Sequence, residues 1–163
     1  MVYTNLSGQS IAFGQSISID LDKNGRTDIW FMTEQVAYDF NTKVKNSYLV
    51  VSGTQCNLAA DTITETTPHL ERGANITQHN LPGHSWYNVL SFTLMQKVTA
   101  ANGTYWEGNW LNVNHKYLPI QVTSGAQLYT GWIEISTDTM SERVILHRAA
   151  LCRVAQKSIQ AGL

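Results

Sequence analysis

Between Ile17 and Met32 the chain reads Ile-Ser-Ile-Asp-Leu-Asp-Lys-Asn-Gly-Arg-Thr-Asp-Ile-Trp-Phe-Met, and no other run restricts the possible folds as tightly. Ile17, Ile19 and Leu21 alternate with polar neighbours. Ile29, Trp30 and Phe31 belong to the β-branched and aromatic types that populate sheets. Both flanks therefore read as strands, and the residues between them must form a short connection. That connection places side-chain oxygens at Asp20, Asp22, Asn24 and Asp28, with Gly25 directly after the third.

This is the Asp-x-Asp-x-Asn-Gly-x-x-Asp pattern of a calcium loop. Alternate residues of a tight loop point to one side, so several side chains can converge on one cation, and Gly25 permits a turn that a Cβ would resist. The expected ligands are the side chains of Asp20, Asp22, Asn24 and Asp28 and the backbone carbonyl of Arg26. Waters complete a shell of about six to eight oxygens. Phe31 stands at the twelfth position, where the helix–loop–helix form places its bidentate glutamate. The object expected here is accordingly a β-hairpin whose connection is clipped by calcium. Magnesium fits less well, since it demands a near-octahedral shell. The competing reading is an Asp/Asn/Gly turn that carries no metal.

Period-two apolar patterning continues along the chain. Strands are expected over residues 9–21, bulged at Gly14, and over 29–38, 47–52, 55–60, 86–98, 105–113, 117–122, 127–136, 143–151 and 158–162. Residues 3–8 read as a tail or edge segment and 39–46 as a polar connection. Asn102-Gly103 is the strongest short hairpin signal. Residues 149–159 also carry apolar residues near helical spacing, which allows a short helix near the C-terminus. About ten short strands imply one all-β domain over residues 1–163, an antiparallel, jelly-roll-like β-sandwich, with a closed barrel as the alternative. In residues 61–85 the pattern dissolves. His69, His79 and His84 occur there at spacings that match no metal motif and read as solvated loop histidines.

Only 14% of the 163 residues are charged and the formal net charge is −1. A typical domain has about 25% charged residues. With no Lys/Arg cluster, a nucleic-acid partner is not expected. No apolar run reaches the roughly 20 residues of a transmembrane helix, and the first residues are not an export signal. A calcium loop tuned to millimolar levels suits an extracellular or cell-surface module, so the expectation is a mature segment without its signal. Cys56 and Cys152 are compatible either with one disulfide in an oxidising compartment or with two buried thiols.

Two ligand-directed readings accompany the calcium loop. Trp106 and Trp110, with Tyr105 and Glu107, can form an aromatic platform for a polysaccharide, rings stacking on the apolar faces of sugars. Against this stands the ordinary use of such rings as core. More remotely, Glu107 and Glu134 are the one carboxylate pair to name for a glycoside hydrolase. That chemistry needs them roughly 5–9.5 Å apart across a cleft.

Three pieces of the sequence resemble a known group. Ile19 to Asp28 provides the early acidic loop, Tyr129-Thr-Gly131-Trp132-Ile133 a late strand, and Ile159-Gln-Ala161-Gly162 a closing element. Together with the run from Trp110 to Ile120, they resemble uncharacterised secreted or surface-anchored β-sandwich proteins of bacteria, many from the Bacteroidetes. The resemblance implies the fold, export and calcium, and attaches no reaction.

Overall fold

The computed structural model describes residues 1–40 and 42–163, and among these every regular element is a strand. In chain order they are β1 (Val2–Ile11), β2 (Ile17–Ile19), β3 (Ile29–Tyr38), β4 (Lys43–Ser52), β5 (Cys56–Ala60), β6 (Asn75–Ile76), β7 (Ser85–Asn88), β8 (Ser91–Ala100), β9 (Gly103–Glu107), β10 (Lys116–Ser124), β11 (Gln127–Asp138), β12 (Arg143–Leu151) and β13 (Ile159–Gln160).

They form two main antiparallel sheets, one ordered β1-β12-β11-β10-β5-β7 and the other β2-β3-β4-β8-β9, with β13 and β6 as a separate pair. The sheets are open, so the architecture is a sandwich and not a closed barrel. Its main core combines Phe31, Tyr48 and Val50 of the five-stranded sheet with Leu58, Leu118, Ile133, Ile135 and Leu146 of the six-stranded one. Period-two alternation sends these side chains inward and their neighbours out, the geometric basis of a two-layer β protein.

Where the chain changes sheets, the sequence-based strands are cut short. The single strand expected over residues 9–21 is divided into β1 and β2 by a crossing at 12–16, with Gly14 at φ +86°. The strand expected over 105–113 stops at Glu107. Gly108 has φ +133° and packs so tightly that a Cβ would lie 2.5 Å from Leu94 O. Residues 108–115 then return to the other sheet and bury Trp110 on the way. The second half of the connection expected at 39–46 is strand, since β4 begins at Lys43; Asn41 lies outside the described residues.

The short helix near the C-terminus does not form. Cys152 N donates to Thr130 O at 2.8 Å, extending the sheet, and Gln156 at φ +57° is incompatible with continued helix. Val154 is exposed, so the helical spacing there marks no buried face.

The patternless stretch at 61–85 is a cover for the six-stranded sheet. Leu70 and Tyr117 exchange backbone hydrogen bonds at 2.9 and 3.0 Å, β6 pairs with β13, and Ile76 packs with Tyr117, Trp132, Ala150 and Ala161 in a second, outer core. His69 and His79 are exposed and His84 is partly so, as expected of loop histidines.

Candidate metal centre

The loop between β2 and β3 is closed by sheet pairing. Ile19 faces Ile29, and Asp28 N donates to Ile19 O at 2.9 Å. Leu21, 2% exposed, inserts into the main core and fixes the loop's entrance. Lys23 at φ +63° and Gly25 at φ +86° turn the chain back on itself. Carboxylates then organise the backbone: Asp20 accepts Asn24 N at 3.2 Å and Gly25 N at 2.8 Å, and Asp22 accepts Asn24 N at 3.2 Å. Asn24 donates its amide to Asp22 at 2.9 Å and accepts Arg26 N at 2.8 Å.

Asp20, Asp22 and Asp28 each contribute a carboxylate oxygen to a cluster whose members all lie within 4.8 Å of one another. Asp28 is the distinctive member. It is 1% exposed, its Oδ2 accepts Leu21 N at 2.7 Å, and its buried Oδ1 has no hydrogen-bond partner among the described residues. Burial pushes its carboxyl above the ordinary range, and the charges of Asp22 and Asp20 act in the same direction. Buried polar atoms are almost always paired, and an unpaired ionised oxygen is costly. A cation held by the three carboxylates would offset that uncompensated charge. The donors are all hard oxygens, which suits calcium or magnesium and not the nitrogen and sulfur sites of zinc. Of the expected ligands, Asp20, Asp22 and Asp28 are brought together. Asn24 Oδ1 accepts the Arg26 N–H, which leaves one lone pair of the Asn24 amide oxygen and does not involve the Arg26 carbonyl, the ligand expected there.

The aromatic platform does not assemble. Trp110 is fully buried and donates Nε1–H to Thr67 O at 3.0 Å. Trp106 is half-buried against the main core, its ring 6.2 Å from that of Tyr48. On β9 alternation turns Trp106 inward and Tyr105 and Glu107 outward. Tyr105 is exposed, and Glu107 accepts from Gln96 and lies 3.9 Å from Lys45 Nζ. The carboxylate pair fails on the same grounds. Glu107 sits on the outer face of one sheet, opposite Gln96, whereas Glu134 sits beside Trp132 on the outer face of the other. The whole sandwich separates them.

Cys56 and Cys152 are free, buried thiols, so the disulfide alternative is not realised. Cys56 pairs with Val122 of β10, and Cys152 follows β12 beside Thr130 of β11. Three strand spacings amount to about 14 Å, twice the reach of a disulfide.

On the outer face of the six-stranded sheet Glu134, His115, His147 and Arg148 meet in a polar group that no contiguous motif announces. Its only sequence trace is the adjacent pair His147-Arg148, which breaks the alternation of β12. Compared with known protein families, curated proteins and solved structures, the chain matches none. No helix among the described residues is long and apolar enough to cross a membrane.

Proposed function

We propose that this chain is a non-catalytic β-sandwich module, exported from the cell, whose β2–β3 hairpin is braced by a bound calcium ion. The observation that carries this reading is the buried, unpartnered Oδ1 of Asp28 beside the carboxylates of Asp20 and Asp22. An ion there turns an unfavourable concentration of negative charge into a tie between the two ends of the loop. Because it binds the folded loop and not the unfolded chain, it adds stability by mass action. Export follows from the resemblance to secreted and surface-anchored proteins and from the millimolar calcium that such loops use outside cells. The polysaccharide reading retains only Tyr105 and Glu107 as outward groups.

Thermal unfolding in calcium, in magnesium and in chelator tests the proposal, with isothermal titration of the chelated protein as the direct measure of binding. Calcium should raise the melting temperature well above the chelator value, and magnesium by less. Identical melting in all three conditions, with no heat of binding at millimolar calcium, would defeat it.

A further inference from the structure

The outer face of the six-stranded sheet is divided. Residues 61–85 and the β6–β13 pair cover one half around Trp132 and Tyr117. The other half is open and polar, and an irregularity in β12 creates it. Arg148 stands opposite Glu134 while Leu146 stands opposite Ile135, so His147 is an extra residue in the ladder; on the other side Asn5 pairs with Arg148 and Gln9 with Leu146. Leu146 remains in the core, and the consecutive residues His147 and Arg148 both emerge on the outer face. Bulges of this kind re-aim side chains and recur beside functional sites.

The residues so gathered are tightly interlocked. Glu134, nearly buried, accepts His115 Nδ1–H at 2.7 Å on one oxygen and Arg148 Nε–H at 2.6 Å on the other. The His147 ring stacks on that of His115 at 4.1 Å, and its Nε2 lies 2.8 Å from Ser136 Oγ. The Arg148 guanidinium lies over the Trp132 ring at 5.2 Å. Beside them is a cavity of about 420 Å³, its rim completed by Tyr3, Asn5 and Ser7.

The unspent hydrogen-bonding groups define what this cavity accepts. Both oxygens of Glu134 are occupied, so it acts as an anchor for Arg148 and His115. Arg148 has used Nε towards Glu134 and also meets the Tyr117 hydroxyl, leaving Nη donors on a guanidinium held in place by a carboxylate, a phenol and an indole. That is the pre-organised fork that matches a planar or tetrahedral oxyanion. Asn5 Oδ1 accepts Ser7 N at 2.9 Å, which leaves the Asn5 NH₂ as a donor, and the Tyr3 hydroxyl adds another. Donors therefore predominate around a fixed cation.

We propose that this cavity binds a small oxyanion, the carboxylate or phosphate group of a low-molecular-weight ligand, through Arg148 with Asn5 and Tyr3. The cavity is distinct from the Asp20–Asp28 loop, although Asn5 also lines a second pocket beside Asp20.

Side-chain ¹H–¹⁵N spectra of the five histidines in the labelled full chain provide the test. The protein is titrated with inorganic phosphate and with acetate at fixed pH and ionic strength, with chloride as reference. The His115 and His147 signals should shift saturably, and those of His69, His79 and His84 should not. Tighter phosphate binding assigns a phosphate-bearing ligand, and tighter acetate binding a carboxylate. Arg148→Lys keeps the charge but loses the fork, and should weaken binding about tenfold. Should that variant not fold, Asn5→Asp at an exposed position replaces a donor with a negative charge and should weaken binding at least as much. No saturable response to either anion, the same response to chloride, or unchanged affinity in whichever variant folds overturns the proposal.

Discussion

Leu21 donates its backbone N–H to Asp28 Oδ2 at 2.7 Å across the mouth of the β2–β3 loop, and the other oxygen of the same carboxylate receives no hydrogen bond among the described residues. One carboxylate thus both closes the loop and leaves a charge uncompensated within it. Asp28→Asn separates the two roles. The amide oxygen can still accept from Leu21, while the buried charge is gone. In chelator the variant should melt above the wild type, and its response to calcium should vanish. For the wild type, calcium at about a hundredfold over Kd should add about 2.7 kcal/mol, or roughly 5–10 °C for a chain of this length. Melting followed by circular dichroism in calcium and in chelator decides it. A variant that melts lower than the wild type in chelator would show the carboxylate to be an ordinary turn residue.

The acid limb of the stability profile should carry two opposing contributions. Burial holds Asp28 above its unfolded value of 3.8. Between these two values the folded state binds more protons than the unfolded one. Without metal, stability is therefore lost as pH rises from 3.8 through the folded value, and calcium should remove that loss. Glu134 behaves oppositely. Burial pushes it up, but the hydrogen bonds from Arg148 and His115 outweigh this and hold it below 4.5. Its contribution is present above 4.5 and lost as pH falls through the folded value. Denaturant titrations in chelator across this range, on the wild type and Asp28→Asn, separate them: only the wild type should show the falling limb.

What the sequence disclosed follows from which interactions are local. The β2–β3 loop, the Asn102-Gly103 hairpin and the bounds of β3 and β12 are written in contiguous residues, because alternation and turn chemistry act over a few positions. The crossings at 12–16 and 108–115 were not legible, since only the opposing sheet determines where a strand must leave its ladder. The ordered cover at 61–85 was equally hidden. Leu70 and Ile76 mean little alone, and acquire a role only against Tyr117, Trp132 and Ala161. In the β2–β3 loop the convergence of three carboxylates was readable, but the orphaned oxygen of Asp28 was not, because it depends on burial by residues distant in sequence. The His115–Glu134–Arg148 group draws on three separate stretches of chain and a bulge, whose one trace is the break in alternation at His147-Arg148.

Gly131 illustrates a small residue fixed by space and not by turn geometry. It lies mid-strand on β11, and a Cβ there would stand 2.5 Å from Ala150 O and 3.0 Å from Leu151 Cδ1. The backbone of β12 would have to move. Gly131→Ala should cost about 1–3 kcal/mol, lowering the melting temperature by roughly 2–12 °C. Gly25→Ala meets nothing within 4 Å and is strained only by its φ of +86°. Comparing the two by thermal melting in chelator distinguishes crowding from backbone strain.

Since Cys56 and Cys152 are free and separated by three strand spacings, reductant should leave the melting temperature unchanged. Burial pushes the Cys56 thiol up, so little reactive thiolate exists in the folded state. A thiol reagent should label Cys56 only as fast as the protein unfolds. Mass spectrometry after brief exposure to iodoacetamide, with and without denaturant, checks both statements. A mass two units below the expected value, resistant to reductant until the protein is unfolded, would instead reveal a bridge.

Trp110 and Trp106 should differ sharply, which bears on whether β9 and its continuation present rings to a ligand. Trp110 fills the core and donates to Thr67 O, so Trp110→Ala should cost about 3–5 kcal/mol, roughly 6–20 °C in melting temperature. Trp106 packs one side against Tyr48 and has Lys97 Nζ 5.9 Å from its ring centre, so part of its surface remains wet. Trp106→Ala should cost less than half as much. A sugar platform would require the reverse: a tolerated change at Trp110 and a polysaccharide-induced shift in its fluorescence, isolated as the difference between wild type and Trp110→Phe. With the indole enclosed and its N–H spent on a backbone carbonyl, no such shift is expected, and any ligand reaching this region must do so through Tyr105 on the opposite side of the strand.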